Sequence, residues 1–127
     1  MAAGIATLEA LAEPDVYEQL ETRSARLAEG LSRAAQQAGI RIFQTRAGSM
    51  LGLFFTDREV TNYASALQSD TQQYARFFHG MLQRGVYLAP SQFECIFVST
   101  AHTDEQIQKT IEAAAETFSE LNRTAET

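Results

Sequence analysis

Apolar residues recur at helical spacing through three long stretches of this chain, and they bunch into short runs between them. Residues 2–12 are rich in alanine and leucine, the strongest helix formers. No capping residue precedes them, so this helix reads as already under way at the first residue, as in a piece of something longer. Pro14 fits the first turn of a second helix, where its missing N–H costs nothing. Val16, Leu20, Leu27 and Leu31 share one broad face of that helix, continued by Ala34, Ala35 and Ala38. Gly30 weakens the helix by up to about 1 kcal/mol, and Gly39 supplies a left-handed stop.

The pattern then shortens. Ile40–Phe43 predicts a strand, 44–48 a turn, and Ser49–Phe55 a second, almost wholly apolar strand. The short gap makes the two a hairpin. Such a run suits a strand covered on both faces, or one covered by a partner domain. Residues 56–69 read as a loop with room for one short turn of helix. Asp70 and Gln73 then form a capping-box-like start. Tyr74, Phe77, Phe78, Met81 and Leu82 follow at amphipathic helical spacing, up to Gly85. Val86–Leu88 and Ile96–Ser99 predict two more strands. Thr103 and Gln106 open a last helix whose buried face carries Ile107, Ile111, Ala114, Phe118 and Leu121. The predicted fold is α+β: a small antiparallel or mixed sheet of about four strands, with helices packed on one face. One domain spans residues 1–122, with helices over 1–38 leading into it and a frayed tail over 123–127.

Composition narrows what this domain could do. A chain of 127 residues suits a single domain with a real core. A net charge of -6 and the lack of any basic stripe exclude a nucleic-acid footprint. No apolar run approaches membrane-spanning length, and no basic segment marks a signal peptide. Cys95 is the single cysteine, compatible with a reducing compartment and otherwise a small buried apolar residue.

Known chemical constellations are mostly missing. Ser91, His102 and Asp104 have the residue types of a triad, but no G-x-S-x-G elbow surrounds Ser91. Asp104 better serves a helix N-terminus. His79, Cys95 and His102 lack metal-ligand spacing. The glycines form neither a dinucleotide fingerprint nor a P-loop. Lys109 is the single lysine and sits on a predicted helix surface. Glu94, in the connector after Pro90, is a carboxylate placed to aim at a ligand.

Residues 84–94, Arg-Gly-Val-Tyr-Leu-Ala-Pro-Ser-Gln-Phe-Glu, and 97–103, Phe-Val-Ser-Thr-Ala-His-Thr, carry a family resemblance. With support from residues 1–4, 11–14, 47–50 and 69–70, the whole chain resembles the C-terminal small domain of the glutamate-1-semialdehyde 2,1-aminomutase family. That family is a branch of the fold-type I, class III aminotransferase-like enzymes that use pyridoxal 5'-phosphate. The resemblance implies conversion of glutamate 1-semialdehyde to 5-aminolevulinate, in tetrapyrrole synthesis, by a homodimer in a bacterial cytoplasm or plastid stroma. It also implies a large cofactor domain upstream, which holds the Schiff-base lysine and the cofactor's other anchors. Lys109 does not match that lysine motif, so this chain alone is expected to bind no cofactor and to be inactive.

On this resemblance Glu94 faces the substrate, with Ser91 and Gln92 shaping the same loop as further substrate-facing candidates. No catalytic, cofactor-binding or metal residue is expected here. Related transaminases often grip an α-carboxylate with an arginine of the small domain. No arginine lies between Arg84 and Arg123, which suits a substrate bearing an aldehyde in that place. Two other readings stay open: a stand-alone α+β binding or interaction module, and the same domain from another class III aminotransferase.

Overall fold

The computed structural model describes residues 1–125. Its order is α1 (Ala2–Ala12), α2 (Val16–Gln37), β1 (Phe43–Ala47), β2 (Met50–Phe54), α3 (Tyr63–Ala66), α4 (Thr71–Gln83), β3 (Ile96–Phe97) and α5 (Asp104–Ala125). The three strands form an antiparallel sheet in the order β1-β2-β3. The α+β class and the antiparallel sheet match the expectation from sequence, with three strands in place of about four.

The missing strand is Val86–Leu88, and its backbone shows why. Helices α2 and α4 end alike, each with a glycine of positive φ just past the cap, Gly39 at 71° and Gly85 at 80°. Gly85 N donates to the Leu82 carbonyl and Val86 N to the Met81 carbonyl. This paired closure satisfies the last carbonyls of the helix. It also takes the Val86 N–H that a strand would need. The Ala89 carbonyl is taken as well, by the Tyr74 hydroxyl at 2.5 Å.

Other boundaries shift for local reasons. The hairpin turn is Gly48–Ser49, because Ala47 pairs with Met50. The strand predicted at residues 40–43 therefore runs over 43–47, and Ile40 is buried in the core instead. Pro14 precedes the α2 N-cap, which is Asp15 in a left-handed conformation. Helix α5 continues past Asn122 to Ala125, so only positions 126 and 127 of the predicted frayed tail lie outside the described residues.

The core lies between the inner sheet face and three helices. Leu51, Leu53, Phe55 and Val98 meet Leu27 and Leu31 of α2, Phe77 and Met81 of α4, and Ile107 and Phe118 of α5. Phe77 and Phe118 stack with centroids 4.8 Å apart. Gly30 has a packing reason: an added Cβ would lie 2.3 Å from Ile111 Cδ1, so the bare backbone lets α5 come close. The outer face of the sheet stays open, with Phe97 61% exposed. Helices thus cover one face, as predicted, and the apolar β2 run is not covered on both. Arg84 ties α4 to α5 by bonding Glu116, Glu120 and the Gly80 carbonyl.

Candidate functional site

The segment after Gly85 has no regular structure until β3, yet its course is fixed from several sides. Tyr74, buried in α4, reaches the Ala89 carbonyl. Gln92 is 3% exposed, and its Oε1 accepts from Phe55 N at 3.4 Å. Phe93 sets its ring edge against Tyr63, with centroids 6.3 Å apart. Ser91 closes the turn from within, its hydroxyl accepting from Phe93 N and its carbonyl from Glu94 N.

Glu94 comes next in the chain and is exposed. Among the described residues it has no ion pair. It lies close enough to Tyr74 for its negative charge to be felt. Burial, and then repulsion from Glu94, pushes the Tyr74 hydroxyl up to about 12. The arrangement is a braced loop carrying a free carboxylate, able to accept hydrogen bonds, pair with a cation and repel an anion.

The other two candidates take different places. Gln92 is buried, and its amide oxygen holds the loop to Phe55, just past the end of β2. Its Nε2 is buried with no partner. Ser91 is half-buried and bonded within the turn. Sequence reasoning missed the braces, Tyr74, Phe55 and Tyr63, since two of those hydrogen bonds join residues 15 and 37 positions apart.

The rejected constellations stay apart. His102 Nδ1 accepts from Ser99 N at 2.9 Å, while Asp104 pairs with Arg23 at 3.4 Å. Neither is joined to Ser91. Cys95 is exposed, which corrects its reading as a buried residue, because it follows Glu94 in the same solvent-facing turn. Among the described residues no three His, Cys, Asp or Glu side chains gather as a metal site. No described helix is long and apolar enough to cross a membrane.

A cofactor that forms an imine needs a lysine held in a pocket. Lys109 is 68% exposed and pairs with Glu105 at 3.0 Å along the surface of α5. The residues present therefore do not fit an anchor for pyridoxal phosphate. An apolar groove of about 680 Å³ lies elsewhere, lined by Leu11, Val16, Leu20 and Val98, and none of residues 89–95 borders it.

No family model matches the chain. A protein named glutamate-1-semialdehyde 2,1-aminomutase from Desulforudis audaxviator is 57% identical over 118 residues, which is 93% of this chain and 27% of that protein. Among solved structures, the PLP-containing FumI protein of Sphingopyxis sp. MTA144 is 28% identical, with a TM-score of 0.77 over 99% of this chain and 28% of that one. A glutamate-1-semialdehyde-aminomutase from Pseudomonas aeruginosa PAO1 shares the fold, with a TM-score of 0.74 at 19% identity over 86% of this chain and 24% of that one. The chain spans under a third of the length of the relatives it matches. Along nearly its whole length the chain is thus similar to one part of proteins named glutamate-1-semialdehyde 2,1-aminomutase, and it shares its fold with part of solved PLP transaminases.

Proposed function

We propose that this chain forms the substrate-facing C-terminal part of a pyridoxal-phosphate-dependent aminomutase. The whole protein converts glutamate 1-semialdehyde to 5-aminolevulinate for porphyrin and tetrapyrrole synthesis. The observation that carries this reading is the 57% identity sustained over 93% of the chain. The cofactor belongs to the part of the protein outside this chain, where it supplies the electron sink that lets an amino group move between neighbouring carbons. This chain alone turns nothing over.

Its own contribution is Glu94. The carboxylate faces the amino or aldehyde end of the substrate and disfavours a second carboxylate there. Arg84, the arginine that precedes the loop, is committed to Glu116 and Glu120 and does not offer its fork to an anion. The rest of the protein packs along α1 and the neighbouring apolar groove. This is supported by Ile5 and Leu8, which are 53% and 69% exposed. The assembled enzyme is a homodimer in the cytoplasm or a plastid stroma, in keeping with a single, unpaired cysteine.

In the full-length protein, Glu94→Gln lowers kcat/KM by about tenfold or more, or roughly 1.4 kcal/mol of transition-state stabilisation. Folding, followed by circular dichroism, stays intact. Unchanged turnover across the pH range sinks the role of Glu94. A second reading is the same domain from another class III aminotransferase. Amino transfer to an external keto acid, with no isomerisation of glutamate 1-semialdehyde, would decide for it.

A further inference from the structure

The braces at Ala89 and Gln92 both stop short of Glu94. Beyond Gln92, the bonds from Phe93 N and Glu94 N go to Ser91, inside the same turn, and move with it. Tyr74 feels the charge of Glu94 and β2 holds Ile96 two residues beyond it, but the side-chain contact adjacent to Glu94 in the chain is the ring of Phe93 against Tyr63. From this juxtaposition we propose that Tyr63 is a positioning residue for Glu94, acting through Phe93. The proposal rests on the reading of Glu94 as substrate-facing.

The construction around Tyr63 supports this role. Helix α3 is four residues long, too short to hold itself together in water. It is pinned by a reciprocal cap: Ser65 N donates to Asn62 Oδ1 at 2.9 Å, and Asn62 N donates to Ser65 Oγ at 3.1 Å. Thr61 N donates to the same hydroxyl at 3.0 Å. Ala66 seats the helix in the interior, and Asp70 N bonds the Phe55 carbonyl at 2.9 Å. None of these bonds involves residues 89–95. What this fixed turn presents at its first position is a tyrosine 70% exposed, whose own burial cannot account for the effort. Its ring meets Phe93 edge-on at 61°, a favoured aromatic geometry. The anchor is thus held by bonds that lie outside the loop, and its partner Phe93 is one residue from the carboxylate.

The test has two arms. In this chain, Tyr63→Ala should speed amide hydrogen exchange at residues 93–95 by about two- to tenfold, the worth of one aromatic pair. Exchange in α4 should stay unchanged. In the full-length protein, the same substitution should lower kcat/KM on the order of tenfold, as a small misplacement does. The double variant with Glu94→Gln should be no slower than Glu94→Gln alone. Tyr63→Phe keeps the ring and should restore both readouts. Unchanged exchange at 93–95 in Tyr63→Ala, strictly additive losses in the double variant, or Tyr63→Phe behaving like Tyr63→Ala would each overturn the proposal. A silent Glu94→Gln overturns the reading of Glu94 instead, while the exchange arm still decides whether Tyr63 holds the loop.

Discussion

Helices α1 and α4 are close in length and both carry large apolar residues, yet they have opposite fates. In α4 the apolar residues form a stripe, and Tyr74, Phe77 and Met81 are buried. In α1 they are spread around the axis, and no residue is buried. Apolar content makes a helix attractive to a partner, while periodicity says whether this chain provides one. The comparison separates a block that stabilises the domain, α4 with α5 and the sheet, from a helix whose apolar surface finds little to cover it here.

The sharpest way to break the block is Phe118→Ala. Phe118 is fully buried against Phe77 and Phe55, so the substitution should cost about 3–5 kcal/mol in urea unfolding. A smaller and pH-dependent effect comes from Tyr74. Its folded pKa of about 12 lies above the ordinary tyrosine value of 10.0, so the folded state favours the protonated phenol. That contribution is complete below about pH 10 and is lost as pH rises through about 12. Tyr74→Phe should therefore lose less stability than the wild type between about pH 9 and pH 11.5 in paired unfolding curves, and equal losses would refute the shift. The smallest effect should be Leu8→Ala, within about 0.5 kcal/mol in this chain. In the full-length protein the same change should cost about 2 kcal/mol or more if α1 is covered there.

What the sequence revealed follows the same division. The α4 and α5 stripes were legible, as was the box at Thr103 and Gln106, where both reciprocal bonds form. The cap of α3 was not, since serine stands at the position where glutamate or glutamine marks a box. Val86–Leu88 alternates like a strand because Val86 and Leu88 are half-buried and Tyr87 is exposed, but pairing depends on free backbone donors and not on side chains. Glu94 could be singled out from its neighbours in sequence. The residues that brace its loop could not, because they lie just past β2, in α3 and in α4, and meet only after folding.

Three mounts on three different elements have a mechanical consequence. A segment fixed at three points cannot bend independently of its supports, so it moves as they move. If the small domain turns as a body against the rest of a larger enzyme, the carboxylate is carried through an arc like a tooth on a gear. Its distance from any group across the interface is then set by the angle of that turn, and approach and retreat become properties of the whole domain.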